Sequence, residues 1–343
     1  MQRRGSTGAR TDHRDTLTIG LLGDVMLGRK VAERLARHPE AEVWSPQVRE
    51  LCRACDAIVL NLECCVSARG APTSLIPGKP FFFRVQPSGL EALRAIGTSV
   101  AGVANNHTLD FGADALADTL VHLRAVDVPP VGAGLDAGSA RRGVVVQAGS
   151  SRLGVLAVSD HPAEYASGAT RPGIAHADLR RRLPDWIAAE LARLRSIADH
   201  VLAFPHWGPN MTTAPAGWQR ERAHELLAAG ADAVAGHSAH VFHGVELTQR
   251  GPLLYDLGDA LDDYAIDPEL RNDLGVLALW RPAGRLELIG LHLDFCRTEL
   301  AAGGHADWIA DRLQLACGEL GTSVRRLEEA RFAIGPADVC AAP

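Results

Sequence analysis

The chain has 343 residues, 47% of them hydrophobic, so it is long and apolar enough to bury a substantial core and is not of disordered composition. Its 41 acidic residues against 35 basic ones leave a formal charge of −6, and the clusters Arg141-Arg142 and Arg180-Arg181-Arg182 lack interleaved aromatics, so no nucleic-acid partner is expected. The 7 cysteines are odd in number and irregularly spaced, which points to a reducing compartment, and no segment reaches the roughly 20 apolar residues that span a bilayer, so a cytoplasmic protein without a membrane anchor is expected.

Residues 1–15 are polar and arginine-bearing and read as a disordered N-terminal tail; residues 16–335 read as a single domain. Thr16 to Leu22 reads as a buried strand ending in Gly23-Asp24, followed by helices over Lys30 to Arg37 and Pro46 to Arg53. Cys52 and Cys55 have a C-x-x-C spacing with no second pair nearby, and read as one face of that helix. Asp56 to Leu62 is a second strand ending at Glu63, and residues 64–80 form a loop. Pro87 to Ile96 fits a helix, Gly97 to Ala104 a strand leading into Asn105-Asn106-His107, and Ala113 to Val126 a helix. Strand, polar tip and helix have then occurred three times, the rhythm of an α/β sheet whose ligands gather beyond the carboxyl ends of its strands.

Arg142 to Gln147 and Arg152 to Ser159 read as a strand pair about Ala148-Gly149-Ser150, and Leu179 to Ala198 as a long helix. His200 to Phe204 is a strand ending in Pro205-His206-Trp207-Gly208; Trp218 to Leu227 is a helix; Ala231 to Ala235 is a strand ending in Gly236-His237. Gly251 to Asp256, Leu274 to Trp280 and Leu286 to Asp294 read as strands of a mixed section, Ala306 to Cys317 as the last long helix, and Arg325 to Arg331 as an Arg/Glu-rich tail.

The residues just after buried runs are Asp24, Glu63, Asn106-His107, His206 and His237, with His240 three positions further on. Carboxylates, an amide and imidazoles make a hard-to-borderline donor set that suits Mn, Fe or Zn better than soft metals. Each cluster alone has a plainer reading as a turn, a cap or an Asx-turn. Three histidines within Gly236 to Gly244 are less easily set aside, and converging carboxylates would repel one another without a cation between them. Asp110 could orient His107 or cap the next helix, and Asp259 could hold a ligand histidine through its second nitrogen or be a turn aspartate. His161 and His176 read as surface histidines.

These motifs resemble the CapA family of poly-gamma-glutamate capsule synthesis proteins, itself similar to the calcineurin-like metallophosphoesterases. The resemblance runs from about Leu17 to Leu291 and rests on Gly23-Asp24-Val25-Met26-Leu27-Gly28-Arg29, Asn61-Leu62-Glu63, Ala104 to Gly112, His206-Trp207-Gly208, Gln219, Gly230 to His240, and Leu257-Gly258-Asp259. It implies a four-layer α/β/β/α sandwich of the metallophosphoesterase type, with two divalent ions (Mn, Fe or Zn) at one sheet edge. Asp24 resembles the first-motif ligand, Glu63 stands at the bridging carboxylate, and Asn106 and His107 resemble the Asn-His pair, in which Asn binds metal and His assists the leaving group. His206 and His237 look like ligands of one metal and His240 like a ligand of the other.

The sequence departs from the related phosphoesterases at Met26, where they carry a histidine. Pro209-Asn210 stand where the family has an acidic residue, and Ala239 where it has proline. Many relatives have an N-terminal membrane helix; none is expected here. The implied function is hydrolysis of a small-molecule phosphoester through a metal-activated water. His107, as imidazolium, and Asp110 would act at the leaving group, and Arg29 would bind an anionic substrate. Two alternatives remain: action on a gamma-glutamyl or other amide bond, and a non-catalytic ligand-binding or assembly subunit of a polyglutamate-type synthesis system.

Overall fold

A computed structural model describes residues 17–37 and 43–336; the expected tail, residues 1–15, lies outside them. Two main sheets carry the fold. The larger, of ten strands, runs in the order Thr322–Glu328, Arg331–Pro336, Arg285–Leu293, Leu274–Arg281, Ile19–Val25, Ala57–Leu62, Thr98–Gly102, Pro130–Val131, with Asp259–Leu261 beside Ile19–Val25 and Thr298–Leu300 beside Arg285–Leu293. The smaller, of six strands, runs Val245–Leu247, Pro252–Leu254, Ala233–Ala235, His200–His206, Ser151–Ser159, Val144–Ala148. Strands that carry the expected site residues run parallel to their neighbours: Ile19–Val25 with Ala57–Leu62, Ala57–Leu62 with Thr98–Gly102, and His200–His206 with Ala233–Ala235. Parallel pairing delivers their carboxyl ends to the same edge of each sheet.

The central strands are apolar throughout because both faces are covered; every residue of Ile19–Val25 and Ala57–Leu62 is buried. Adjacent residues of one strand enter different cores, as the alternation of a strand requires. Leu22 and Leu60 join Val31, Val48 and Leu116 of the helices Arg29–Arg37, Pro46–Arg53 and Gly112–Ala125. Leu21 and Val59 meet Val155, Leu202 and Phe204 of the smaller sheet. Leu156 and Val201, on that sheet's other face, pack with Ile187, Leu191 and Leu226 of the helices Asp185–Ile197 and Gly217–Ala228. The chain is thus a mixed α/β protein with two sheets sharing one apolar layer. No helix among the described residues is long and apolar enough to cross a membrane.

Most expected elements are found within a few residues. The helix Pro46–Arg53 has the expected bounds, set by Pro46 in its first turn and by Ser45, whose hydroxyl accepts the Val48 amide at 3.3 Å. Three expectations are corrected. The helix expected from Leu179 begins at Asp185, because Pro184 has no amide proton to offer a helix interior. Pro87 to Ile96 divides into a 3-10 turn, Pro87–Leu90, and the helix Glu91–Ala95. The Arg/Glu-rich stretch is no tail: Thr322–Glu328 and Arg331–Pro336 form a hairpin that buries Phe332 and Ile334 while Arg325 and Arg326 stay exposed.

Gly23 sets how closely the first strand approaches the segment bearing Asp259. A Cβ there would lie 1.9 Å from the Gly258 carbonyl oxygen, which accepts the Asp24 amide at 3.2 Å. Gly23→Ala should therefore push two backbones apart and destabilise the fold by about 1–3 kcal/mol, read as a lower urea midpoint. An unchanged midpoint would show that the two segments yield freely.

Candidate metal centre

Asp24 lies at the end of the first strand and is buried. One carboxylate oxygen accepts the Asn61 side-chain amide at 2.7 Å, and the other accepts the Ser238 backbone amide at 3.1 Å. Asn61 in turn accepts from Asn105 Nδ2 at 3.0 Å, and Asn105 holds the His107 backbone amide at 3.0 Å. One polar chain thus links the ends of three neighbouring parallel strands.

Two groups of potential ligands meet at Asp24. In the first, Asp24, His206 and His237 offer donor atoms all within 4.8 Å of one another; in the second, Asp24, Glu63 and His240 do the same. Asp24 belongs to both groups and Glu63, the residue expected to bridge, to one. His237 Nδ1 is 3.1 Å and His206 Nδ1 3.8 Å from Asp24 Oδ1, and the two ring nitrogens are 2.9 Å apart. His240 Nδ1 is 3.5 Å from Asp24 Oδ2 and 2.8 Å from Asp259 Oδ1, so Asp259, read as a histidine's partner or a turn aspartate, bonds the His240 ring through the nitrogen that also faces Asp24. Ser238 and His240 have φ of 117° and 60°, strained for residues with a Cβ. The bonds from Ser238 to Asp24, from Ala239 N to Asp256 Oδ2 at 2.8 Å and from His240 to Asp259 hold that turn in place.

The donor set fits divalent metal. Two imidazole nitrogens each about 2.0–2.1 Å from one ion come to lie about 3 Å apart, as His206 and His237 do. Buried atoms without a hydrogen-bond partner cluster here: Glu63 Oε1, Asn106 Oδ1, His237 Nε2 and Asp259 Oδ2. The Asn106 orphan oxygen is the amide acceptor the sequence assigned to metal, and its backbone carbonyl is pinned by Lys79 Nζ at 2.7 Å.

The electrostatics agree. Burial, then the charge of Asp24, pushes the Glu63 carboxyl well above its ordinary range, and the same two causes push Asp256 up to about 7. Burial raises Asp259 and Asp262 as well. Asp24 moves the other way, because His237 and His240 outweigh its burial. So many buried carboxyls cannot all ionise together unless positive charge is supplied among them.

His107 and Asp110 form a separate pair beside this centre. His107 Nδ1 lies 2.6 Å from Asp110 Oδ2, and its ring stacks on Phe83 at 3.9 Å. Asp110 also accepts the Phe83 amide at 2.7 Å and pairs with the buried Lys79 at 3.2 Å. Burial pushes His107 down to about 4 against the pull of Asp110, so its ring is neutral at pH 7, not the imidazolium expected. With Nδ1–H donated to Asp110, Nε2 is an acceptor. Arg29 reaches the rim: it pairs with Asp263 at 3.2 Å and its guanidinium lies 5.5, 5.8 and 6.0 Å from the rings of Phe81, Phe83 and Tyr264.

Met26, at the expected histidine position, is wholly buried and packs in the apolar core, its Sδ accepting the Gly28 amide. Cys64 and Cys65 are buried; burial pushes both thiols up, Cys65 to about 12, and Cys64 packs in the apolar core. Composition and spacing gave no sign of Lys79 or of Tyr264, whose hydroxyl donates to Glu63 Oε2 at 3.2 Å. His161, expected at the surface, lies with its ring centroid 5.1 Å from that of His206 and bonds Asp160. The run Asp256 to Asp263, four aspartates after a buried strand, was the one available signal for the acids around His240.

Because the metal-free centre holds excess buried negative charge, chelator-treated protein should melt at lower temperature, and Mn2+ or Zn2+ should restore it. At a free-ion concentration 100 times Kd the gain is about 2.7 kcal/mol, read by calorimetry. Identical melting with and without excess of either ion would remove the metal from this site.

A relative from Mycobacterium tuberculosis, named "Probable polyglutamine synthesis accessory protein", is 30% identical over 90% of this chain and 93% of its own length. The "PGA biosynthesis protein CapA" of Bacillus subtilis is 26% identical over 73% of this chain and 64% of its own. Among solved structures, the NAD nucleotidase of Haemophilus influenzae covers 83% of this chain with 49% of its own, at 10% identity and a TM-score of 0.40, a likeness too loose to fix fold or activity. Residues 18–264 match the family described as "Bacterial capsule synthesis protein PGA_cap", and the chain belongs to that family.

Proposed function

We propose that this protein is a metal-dependent hydrolase acting on a phosphoester of an anionic small molecule. One observation carries the reading: two groups of potential ligands share Asp24, the arrangement a two-ion phosphoryl site requires. In it Asp24, His206 and His237, with Asn106, would hold one ion, and Asp24, Glu63 and His240 the other. When bound, the ions supply Lewis acidity toward the phosphoryl oxygens and, by polarising water, a nucleophile at neutral pH. The reading takes residues 16–335 as one domain, a four-layer α/β/β/α sandwich, supported by the order helix, sheet, sheet, helix in which the three apolar clusters lie.

The remaining chemistry belongs to the chain's own side chains. Asp110 fixes the His107 tautomer, which leaves Nε2 as an acceptor beside the centre. There it holds a proton of the attacking water or, once protonated in the reaction, returns one to the leaving oxygen. Lys79 and Phe83 fix Asp110 in turn. Arg29, spread on aromatic rings and half-exposed, binds the substrate's negative charge. Tyr264 holds one Glu63 oxygen and leaves the other free for metal.

A second reading is favoured by the printed names of the relatives, which speak of PGA biosynthesis and polyglutamine synthesis. The same centre would then act on a gamma-glutamyl amide, with Arg29 on the carboxylate. p-Nitrophenyl phosphate, bis-p-nitrophenyl phosphate and gamma-glutamyl-p-nitroanilide, each with Mn2+ or Zn2+, separate the two. Turnover of a phosphoester is expected, with Asp24→Ala abolishing it and His107→Ala lowering kcat by about 10²–10⁴. Turnover of the anilide alone would overturn the phosphoester reading in favour of the amide.

A further inference from the structure

A second set of metal donors lies apart from the centre described above and shares no residue with it. Asp273, His292 and His305 present ligand atoms all within 4.8 Å of one another. The imidazoles of His292 and His305 have ring centroids 4.0 Å apart, tilted by 48°. His292 Nε2 is 3.9 Å from Asp273 Oδ2. Neither ring makes a hydrogen bond among the described residues, although both are only half-exposed and the Asp273 carboxylate is buried. Two half-buried rings packed on each other without a hydrogen bond to either keep ring nitrogens available to a ligand.

Three separate elements fix the donors. His292 is in the strand Arg285–Leu293, opposite Leu274, the residue after Asp273. The Asp273 carbonyl accepts the Leu293 amide at 2.8 Å, which locks Asp273 to that strand. His305 is in the first turn of the helix Gly304–Gly318, seated by Ala306, Ile309 and Leu313 in the core between the sheets. Arg271 grips Asp273 with Nε on Oδ1 and Nη2 on Oδ2, both at 2.7 Å. Each carboxylate oxygen keeps a second lone pair, and the grip fixes the carboxylate with Oδ2 beside His292, as outer partners of metal-binding carboxylates do. Arg271 has φ of 52°, a strained conformation the fold maintains where this grip is made.

We propose that Asp273, His292 and His305 form a third metal site, taking a borderline ion of the zinc type with three protein ligands and one position open to solvent. Two imidazoles and a carboxylate are a donor set zinc accepts, and three protein ligands leave a place for water or an external ligand. The guanidinium beside it selects for an ion whose nitrogen ligands do most of the binding, which disfavours magnesium and calcium. The site does not depend on the proposed hydrolase activity.

The test is zinc binding to chelator-stripped full-length protein, followed by elemental analysis and competition titration, with Co2+ absorption as a second readout. Asp24→Ala should lose metal from the main centre and keep this ion. His305→Gln and His292→Gln should each lose one zinc per chain or weaken it about tenfold or more, while the main centre stays loaded. If His292→Gln fails to fold by circular dichroism, His305→Gln, on a half-exposed helix turn, decides alone. Zinc stoichiometry and isotherms identical to wild type in His305→Gln would overturn the proposal and leave Asp273 as the partner of Arg271 only.

Discussion

The fold of this protein is arranged around a concentration of buried negative charge. Asp24, Glu63, Asp256, Asp259 and Asp262 are all buried in one region, and burial with mutual repulsion raises every one except Asp24 above its ordinary range. Two like charges 4 Å apart repel by about 4 kcal/mol even at an effective dielectric of 20, comparable with a large share of a domain's net stability. A sequence that needed only a stable core would place leucine or valine at these positions, as it does one residue earlier at Leu62 and one later at Val25. Membership of the capsule synthesis family accounts for ancestry; charge balance accounts for why these residues must stay together.

How the acids reach one place is a matter of backbone. Parallel pairing puts Asp24 opposite Asn61 and Asp259 in register. Close approach of main chains then fixes the strand ends of the smaller sheet that carry the histidines. A Cβ at Gly236 would lie 2.2 Å from the Tyr255 carbonyl oxygen, so only glycine permits the step that carries the chain into His237. Trp207 Nε1 donates to that same carbonyl at 2.9 Å, locking the end of the His206 strand to it. The ligand positions are therefore consequences of strand register and of a few glycine contacts.

This explains what could be read in advance. Asp24, Glu63, His206 and His237, which the structure brings together, each follow a buried run, and a strand's end is visible in hydrophobic pattern alone; His240 was singled out by the cluster of three histidines it belongs to. Lys79 was not, because it sits in a long irregular loop and reaches the centre only through a flexible four-carbon stem. His161 was read as a surface residue, since nothing local tells that Ser151–Ser159 pairs with His200–His206 in the register that sets Ser159 beside His206. The Arg325 stretch misled for a different reason: its strand has one face in solvent, so charge dominated its composition and hid the alternation. The third donor set joins three segments whose proximity comes from antiparallel pairing and a helix seat, which no motif encodes.

The acids around His240 differ in task, and the difference bears on how the centre keeps its shape. Asp256 accepts two backbone amides, from Ala239 at 2.8 Å and Gly258 at 2.8 Å, and so stabilises the turn. Asp259 serves the His240 ring. Glu63 is fixed by Tyr264 on one oxygen and leaves the other buried and unpaired. An acid bonded to backbone is stabilised whether or not metal is present, whereas an acid with an orphan oxygen is not. The centre thus has a scaffold of backbone-bonded acids and a set of side chains whose burial is relieved by protonation or by a cation among them. Such a division lets the strained turn at Ser238 and His240 hold its φ values before any ion arrives, so binding need not first create the site.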